Sequence, residues 1–406
     1  MPKILIDACK LTDSSVKDGC YRYTKELVKG LQKSSIPSDV EVDLFVFDKI
    51  IRLQDYNDKE NGAPNQEKVK SEEKSFIKII KEMFSGISLF RNMYSKLKIL
   101  FWSLKFKEYD IVHIALPAHY YLYAPVVPFS STKIIVTVHD LTTITFPQFH
   151  EEMNIKQHNE GYKFLTKHAD AIITDSLSTK NDFLSHFSYD TNNVFSIHLG
   201  FNRNIFHTIN ENETIQNVQE KYQIQSPYIL SIGTIEPRKN LLKSIQAYNR
   251  LVKNHPDVSV NFVLIGQTGW NSSEILNEIY KNKERIQLLG FVPDEDLAPL
   301  YNGALFFCYA SFYEGFGLPL LESIACETPV IYGNNSSMPE VVGECGLGVH
   351  SNDINDIYEK MEHMTLDDTL RGKLKEKCAN QASTFSWELC AKETFHVYQK
   401  VLPNRE

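Results

Sequence analysis

The 406-residue sequence lacks several features that would assign a protein to a particular class. No stretch approaches the roughly 20 consecutive apolar residues of a membrane-spanning helix, so no such helix is predicted. The formal charge of −8 is opposite in sign to the basic surface that a general nucleic-acid-binding protein presents. We therefore expect no nucleic-acid partner.

Cysteine is present, but it follows neither a disulfide pattern nor a metal-ligand pattern. The seven cysteines are odd in number and scattered, without a Cys-x-x-Cys pair or a Cys/His ligand spacing. The first residues, Met1–Asp7, form a strand-like run interrupted by an acid and are not predicted to be a signal peptide. Free thiols are typical of a reducing compartment, and we expect a cytoplasmic protein.

Two motifs are also missing at the ends of strand-like runs. No Gly-x-Gly-x-x-Gly follows Lys3–Asp7 or Tyr228–Ile232, which disfavours a Rossmann oxidoreductase. No Asp-x-Asp metal motif is identified near the end of a strand-like run. We expect no metal site.

What the sequence contains is typical of a two-domain α/β protein. The length exceeds that of one ordinary core, and strand-like runs alternate with helical patterns, which predicts parallel sheets with crossover helices. The polar stretch 202–226, helical near Val218–Tyr222, is interpreted as a linker. Ligands of doubly wound sheets bind at the carboxyl ends of strands, so the site is expected between the domains. The predicted strands are Lys3–Asp7, Val42–Phe47, Asp110–Ile114, Lys133–His139, Ala171–Asp175, Val194–Leu199, Tyr228–Ile232, Val260–Gly266, Ile286–Leu289, Leu305–Ala310, Val330–Tyr332 and Leu347–Val349.

A basic amphipathic segment over 74–107 follows a charged stretch, 60–73, which we interpret as a mobile loop. Its apolar residues recur at spacings of four and three, with a break predicted at Gly86, and lysine and arginine outnumber acids. We favour packing of this stripe on the first sheet, which needs helices to cover it. Peripheral contact with an anionic membrane surface stays open. The stripe comprises Phe76, Ile80, Met83, Ile87, Phe90, Tyr94, Leu97, Phe101 and Leu104.

Two glutamates eight positions apart, Glu314 and Glu322, flank a glycine turn that leads into a predicted helix start. Gly315 and Gly317 would allow close approach of a ligand to the backbone, and Pro319 suits a first helical turn. A helix start with unpaired N–H groups binds phosphate, and carboxylates on either side suit hydroxyl groups. The pattern favours a sugar nucleotide, although an ordinary strand-to-helix turn would give the same residues.

A second cluster, Ser231–Asn240, also joins a strand to a helix. Arg238 and Lys239 would lie at the carboxyl end of that strand, where they could neutralise a departing diphosphate. The alternative is a solvated pair beside a helix that Asn240 caps.

Together these clusters resemble the family 4 (group 1) retaining nucleotide-sugar glycosyltransferases, which have the GT-B architecture. The likeness is greatest to bacterial mannosyltransferases of polysaccharide assembly, lipopolysaccharide included. It covers most of the second half of the chain and patches of the first. The matching segments are 138–141, 233–240, 266 with 269–270, 289–297, 311–322, 325–330, 337–341 and 385–388.

The resemblance implies two Rossmann-like domains facing a deep cleft. The first would span 1–205 and be completed by a C-terminal helix at 385–406, and the second would span 206–384. The implied reaction moves a hexose, mannose from GDP-mannose, to a saccharide or lipid-linked saccharide acceptor without metal or other cofactor. A hydrolase or epimerase of the same fold and a non-catalytic binding protein remain alternatives.

The resemblance also implies a role for each site residue. Glu314 would contact the sugar hydroxyls beside the backbone of Gly315, Phe316, Gly317 and Leu318, and Glu322 would bind the ribose. Arg238 and Lys239 would hold the diphosphate, which Gly19 and Gly233 would let approach. His139 would face the reacting centre near the acceptor, with Arg22 and Asp140 as further acceptor-binding candidates. The sequence departs from the family at Tyr21, Thr234, Ala310 and Glu327.

Overall fold

The computed structural model describes residues 1–12, 18–34, 36–46, 49–57, 88–125 and 130–402. Side chains of the helix that starts at Ser88 are described from residue 96 onward. The predicted loop over 60–73, the predicted break at Gly86 and the stripe before residue 88 lie outside these residues.

The first sheet covers the first half of the chain. Its strands are β1 (Lys3–Asp7), β2 (Glu41–Val46), β3 (Lys49–Arg52), β4 (Ile111–Ile114), β5 (Lys133–Val138), β6 (Ala171–Thr174) and β7 (Val194–Ser196). They lie in the order β3-β2-β1-β4-β5-β6-β7, and all neighbours are parallel except β2 and β3. The short edge strand β3 was not predicted, because its charged ends hide the apolar pair between them.

The second sheet is wholly parallel. Its strands are β8 (Tyr228–Ile232), β9 (Asn261–Ile265), β10 (Ile286–Leu288), β11 (Phe306–Tyr309), β12 (Val330–Gly333) and β13 (Gly346–Val349). They lie in the order β10-β9-β8-β11-β12-β13. All twelve predicted strands are therefore present, with ends that differ by a few residues.

Helices connect successive strands and cover the sheets. In the described residues they are α1 (Gly19–Lys33), α2 (Ser88–Phe106), α3 (Thr142–Thr145), α4 (Glu152–His168), α5 (Leu177–His186), α6 (Asn212–Lys221), α7 (Leu241–Asn254), α8 (Ser273–Lys281), α9 (Asp294–Gly303), α10 (Leu318–Ala325), α11 (Met338–Val342), α12 (Ile354–Leu366), α13 (Asp368–Ser383) and α14 (Trp387–Val401). No helix among them combines the length and apolar composition that crossing a bilayer requires.

Because helices cover both faces of the sheets, the strands are buried on both sides. Ile4 and Ile6 of β1 belong to one hydrophobic core, whereas Leu5 between them belongs to another. Strands covered on both faces read as continuous apolar runs, which is why the sequence pattern identified them.

The final helix, α14, returns to the first sheet. It packs against α1, where the Cβ of any side chain at Gly30 would lie 2.8 Å from the Cβ of Ala391. His113 of β4, which is fully buried, hydrogen-bonds through Nδ1 to the Tyr398 hydroxyl at 2.7 Å. The crossing of the last helix onto the first half is thus observed, while the proposed domain limits stay a prediction.

The orientation of α2 differs from the favoured interpretation of the apolar stripe. Trp102 and Phe106 face the sheet, where both contact Phe45, while Leu97 and Phe101 of the stripe are exposed. The helix is rotated so that residues just outside the predicted stripe make the packing contacts. Packing of the stripe on the sheet is therefore wrong for its described part.

Candidate active site

The two predicted clusters meet where the order of the second sheet reverses. Strands β8 and β11 are adjacent, but their crossover helices run to opposite sides, and such a switch point opens a crevice at the carboxyl ends. The loop after β8 carries Arg238 and Lys239, and the loop after β11 carries Glu314. The fold therefore brings together the residues that were predicted from separate motifs.

Glu314 is the centre of this cluster and is buried. The Lys239 ammonium lies 2.8 Å from Oε1 and 3.0 Å from Oε2, and Arg238 Nη1 lies 3.1 Å from Oε2. Burial by itself would raise the pKa of Glu314, but Lys239 and Arg238 outweigh it and lower this pKa to about 2. Glu314 is accordingly a fixed carboxylate across the physiological range.

Two groups that the sequence analysis missed complete the cluster. Glu236, buried at the start of the β8 loop, accepts a 2.6 Å hydrogen bond from Arg238 Nη2. The Tyr309 hydroxyl, at the end of β11, accepts one of 2.6 Å from Lys239. Glu236 stands two residues before Arg238, and this closeness in sequence to a candidate base was the signal that could have identified it.

The cations remain strongly perturbed by this setting. Burial lowers the pKa of Arg238, but Glu314 and Glu236 raise it by more, so the net shift is upward. Burial lowers the pKa of Lys239, and the neighbouring Arg238 lowers it further, against the opposite effect of Glu314. The formal charges of two carboxylates and two bases thus cancel within one buried site. Arg238 holds its proton more firmly than Lys239 does.

Gly233 gives Lys239 its path to the carboxylate. Its φ is +155°, and a Cβ at this position would lie 3.4 Å from Lys239 Cε. The aliphatic stem of Lys239 consequently runs along bare backbone at the strand end.

The glycine turn lies where the two halves of the protein contact each other. A Cβ at Gly315 would lie 2.1 Å from the backbone oxygen of His139, and the Thr179 hydroxyl donates to the Gly315 oxygen at 3.2 Å. Gly317 has φ +97°, which glycine adopts readily, and α10 follows with Leu318 as its first residue. Gly315 is therefore needed for the approach of the first half.

Phe316 does not point toward the cluster of charges. Its ring is buried and lies 5.9 Å from the ring of Phe385 and 6.0 Å from that of His198. Only its backbone is placed for the predicted ligand contact.

Glu322 was predicted to bind the ribose, and the structure shows that it also has an ion-pair partner within the protein. In α10 it is buried and forms an ion pair with Arg22 of α1, which also reaches Asp294 of α9 at 2.9 Å. The Tyr301 hydroxyl donates to it at 3.3 Å. Burial raises the pKa of Glu322, although Arg22 acts in the opposite direction. Arg22 thus bridges the two halves of the protein, and its predicted role toward the acceptor stays a prediction.

His139 and Asp140 lie at the end of β5, against the glycine turn. His139 Nδ1 donates to Asp175 at 2.7 Å and Nε2 donates to the Ala115 oxygen at 3.1 Å. Burial lowers the pKa of His139, but Asp175 reverses this and raises it. Both ring nitrogens are occupied within the first half, and a role toward an acceptor stays a prediction. The Asp140 carboxylate accepts from the Thr142 backbone N–H at 3.0 Å.

The first sheet has its own switch point, between β1 and β4. Asp7 at the end of β1 is fully buried and lies 2.6 Å from His119 Nδ1, in the loop after β4. Burial lowers the pKa of His119, but Asp7 raises it by more. This pair, which the sequence analysis did not identify, lies where the first sheet would hold a ligand. Gly19 is the first residue of α1, and a Cβ at this position would have no atom of a described residue within 4 Å beyond its chain neighbours and its own helix backbone.

One of the departures from the family pattern, at Glu327, has a local explanation. Glu327, where a glycine is common, has φ +55° and so retains the left-handed backbone at a cost of about 1 kcal/mol. Ala310 is buried, and its oxygen accepts from the Asn240 side chain at 2.9 Å. Thr234 is exposed and Tyr21 packs partly against the core.

No group of three or more His, Cys, Asp or Glu side chains in the described residues is arranged to hold a metal ion. The sequence does contain an Asp-x-Asp at 294–296, in the first turn of α9. Asp294 pairs with Arg22, and Asp296 accepts from Lys221 and Tyr222, both at 2.6 Å. Metal independence of the reaction stays a prediction.

Comparison with protein families assigns both halves of the chain. The family model for glycosyl transferases group 1 matches residues 213–384, and the model for glycosyltransferase family 4 matches residues 18–204. O-antigen chain mannosyltransferase B of Escherichia coli is 32% identical over 73% of this chain and 76% of that protein. The serotype-specific mannosyltransferase WbdA of Escherichia coli is 29% identical over 63% of this chain but only 32% of its own length.

Solved structures agree with the architecture. HepE of Anabaena, in complex with UDP and glucose, superposes with a TM-score of 0.71 at 15% identity and covers 98% of this chain and 100% of its own. WaaG, described as a glycosyltransferase involved in lipopolysaccharide biosynthesis, gives 0.67 at 13% identity over 99% of this chain and 100% of its own. At these identities the likeness establishes the fold, and the predicted GT-B architecture is confirmed. From its sequence relatives, the chain belongs to the group 1, or family 4, glycosyltransferases.

Proposed function

We propose that the chain transfers mannose from GDP-mannose to a saccharide or lipid-linked saccharide during assembly of a surface polysaccharide. The observation that carries the proposal is Glu314, buried between Lys239 and Arg238 at the switch point of the second sheet. The choice of mannose rests on the two relatives named as mannosyltransferases. The same proposal places the transfer of mannose in the cytoplasm.

Binding of the sugar nucleotide would use the charges already present. The guanidinium of Arg238 has five N–H donors, and three bonds hold it to Tyr313, Glu314 and Glu236, so it retains capacity for phosphate. The diphosphate would lie between the two bases and the N-terminus of α10, where backbone N–H groups favour an anion. Glu314 would then accept hydrogen bonds from sugar hydroxyls and Glu322 from the ribose.

The chemical step follows from where charge develops. The bond between the anomeric carbon and the phosphate oxygen breaks, and the electron pair leaves with the diphosphate. The acceptor hydroxyl oxygen attacks the anomeric carbon from the same face, and its proton passes to the departing phosphate oxygen. Lys239 and Arg238 would stabilise the developing negative charge because they are fixed before the reaction begins. The configuration is retained, and neither a protein nucleophile nor a metal ion takes part.

The acceptor would approach from the first half of the protein. The Asp7–His119 pair lies at the switch point of the first sheet, while His139 and Asp140 lie against the glycine turn. Contact between the halves would exclude water from the reacting centre and so suppress hydrolysis of the sugar nucleotide.

A donor screen tests this proposal most directly. A bound nucleotide sugar stabilises the native state by mass action, so GDP-mannose should raise the melting temperature more than UDP- or ADP-sugars do. Incubation with GDP-mannose and a mannose-terminated acceptor should then give a longer saccharide of retained configuration. Release of free mannose alone would indicate a hydrolase, and preference for another nucleotide would overturn the donor assignment.

Substitution of Glu314 links that activity to the site. Glu314→Ala should abolish transfer while the protein stays folded, as checked by circular dichroism. Glu344→Ala is a matched control, since Glu344 is an exposed acid of the same domain that pairs with Lys377. Full transfer by folded Glu314→Ala would contradict the role of the cluster.

A further inference from the structure

Two histidines of the first half have buried ring nitrogens that no protein group satisfies. His150 lies between α3 and α4, and His158 lies in α4. Nε2 of His150 and Nδ1 of His158 are shielded from solvent, and neither is hydrogen-bonded to a residue that the structure describes. A buried polar atom without a partner costs about 1–3 kcal/mol, and most such atoms in proteins are paired. Two of them in one region therefore need an explanation.

Asp140 is the common neighbour of both rings. Burial lowers the pKa of His150 and of His158, and Asp140 acts in the opposite direction on each. His158 also lies beside Tyr162, with ring centroids 6.2 Å apart, and the Tyr162 hydroxyl donates to the backbone oxygen of Asp140 at 2.9 Å. We call Asp140, His150 and His158 the Asp140 cluster.

The Asp140 cluster adjoins the bases that would hold the diphosphate. A Cβ at Gly315 would lie 2.9 Å from the Cβ of Asp140, so the cluster reaches the glycine turn. Arg238 also lowers the pKa of His150, which places this ring within electrostatic reach of that guanidinium. A molecule bound to the Asp140 cluster would consequently lie beside the sugar of the donor.

The available donors and acceptors indicate the class of ligand. The Asn154 side chain donates to His150 Nδ1 at 3.5 Å, so Nε2 carries the proton and can itself donate. Asp140 Oδ1 accepts from the backbone and the hydroxyl of Thr142, at 3.0 and 2.7 Å. Among the described residues Oδ2 has no hydrogen-bond partner, and it can accept. A hydroxyl group can both accept from a ring N–H and donate to a carboxylate.

The charge of the cluster favours a neutral ligand over an anion. With their pKa values lowered by burial, His150 and His158 are mostly neutral at neutral pH. The carboxylate of Asp140 repels phosphate. Sugar hydroxyls therefore suit the cluster better than the phosphate of a lipid-linked saccharide does.

We propose that the Asp140 cluster binds hydroxyl groups of the terminal sugar of the acceptor, and that His150 and His158 determine which hydroxyl attacks. A hydroxyl that pairs with either ring is held away from the anomeric carbon, so the two rings fix the position of the new linkage. The assignment rests on the proposed function, because it names the residues that recognise the acceptor of that reaction.

Calorimetric titration of a mannose-terminated disaccharide into the full chain, in the presence of GDP, tests the assignment without requiring transfer. His150→Phe and His158→Phe keep an aromatic ring but remove its nitrogen atoms, and each should raise the Kd for the disaccharide by about tenfold. The Tm should stay equal or rise, because an apolar ring replaces a buried polar atom that had no partner. A merely structural role predicts the reverse, a lower Tm with an unchanged Kd.

Conservative variants provide the matched controls. The asparagine amide reaches the position of Nδ1 and the glutamine amide that of Nε2, so His158→Asn and His150→Gln should keep the Kd within about threefold. His396→Phe, on the exposed side of α14, should change neither the Kd nor the Tm.

Linkage analysis of the product completes the test. The unmodified protein should form one linkage, whereas His158→Phe should give a mixture of linkage positions. An unchanged Kd in both phenylalanine variants, or their failure to fold, would overturn the assignment. Normal binding of the disaccharide without any transfer would overturn the proposed function instead and would leave the Asp140 cluster as a saccharide site.

Discussion

The two carboxylates that flank the glycine turn have opposite environments. Glu314 is held by Lys239 and Arg238 from its own sheet, and these bases lower its pKa to about 2. Glu322, eight residues later, is paired with Arg22 from the first half, and burial raises its pKa. Both side chains are buried, so the difference lies in the origin and number of the cations.

This contrast separates a site that is formed in advance from one that depends on assembly. The cations and the hydroxyl that contact the Glu314 cluster come from the loops after β8 and β11, within the second half of the protein. The environment of Glu322 changes whenever Arg22 moves. We infer that the bases which would act on the diphosphate are rigid, while the ribose side of the site responds to the relative position of the two halves.

The largest effect is expected when the preformed cluster is broken. Lys239→Ala should lower turnover by about 100- to 1,000-fold, because a fixed cation that meets developing charge is lost. Arg238 still pairs with Glu314, so destabilisation should stay below the roughly 3–5 kcal/mol of a buried charge left alone. Turnover at saturating nucleotide sugar and thermal unfolding measure both effects. Lys281→Ala, at an exposed lysine of α8, is the control, and equal turnover of the two variants would refute the assignment.

A smaller effect is expected when the bridge between the halves is broken. Arg22→Met keeps much of the side-chain volume but leaves buried Glu322 without its cation. Because Glu322 can then bind a proton and keeps the Tyr301 hydroxyl as a partner, the cost should be the about 1–3 kcal/mol of an imperfectly satisfied polar group and not that of a lone buried charge. Turnover should fall about tenfold because the halves are held less closely, while affinity for the nucleotide diphosphate should change little. Calorimetric titration and steady-state kinetics separate these quantities. A loss of turnover as large as that expected for Lys239→Ala would show that the Glu314 cluster and the Arg22–Glu322 pair are not distinct.

The smallest effect is expected from acid. Because burial raises the pKa of Glu322, its proton binds above the ordinary value of 4.5, whereas Glu314 is protonated only near pH 2. A carboxyl whose pKa is raised by folding loses no stability as that proton binds, and a carboxyl with a lowered pKa loses its contribution only at lower pH. Turnover should therefore decline a few-fold as the pH falls, at pH values above those that protonate Glu314, and without unfolding. Glu322→Gln should flatten this decline, and an unchanged profile in that variant would argue against Glu322 as its cause.

Much of the fold was predictable because parallel strands covered on both sides are continuous apolar runs. The strand predicted at Val330–Tyr332 was visible in this way, whereas the turn before α10 was indicated by its glycines and by Pro319. Proximity of Arg238, Lys239 and Glu314 was expected only through family resemblance, since 75 residues separate the lysine from the glutamate. Sequence reveals such a pair only when the order of strands in the sheet is known.

The remaining differences arise from tertiary contacts that local patterns do not encode. The stripe on α2 has the right period, yet the aromatic contacts of Trp102 and Phe106 with Phe45 set a different rotation. Arg22 was predicted as an acceptor-binding candidate from the family resemblance, and its ion pair with Glu322, 300 residues away, was not predicted. Neither outcome could be read from residue spacing.

The return of α14 to the first sheet has a consequence for the order of synthesis. Residues 228–349, which form the second sheet, leave the ribosome before Trp387–Val401 does, so that sheet can close while the first still lacks a helix. Until Tyr398 arrives, Nδ1 of the buried His113 ring lacks its hydrogen-bond partner, and Thr137 of β5 alone holds the ring through Nε2. The half that is translated earliest is thus the last to be completed.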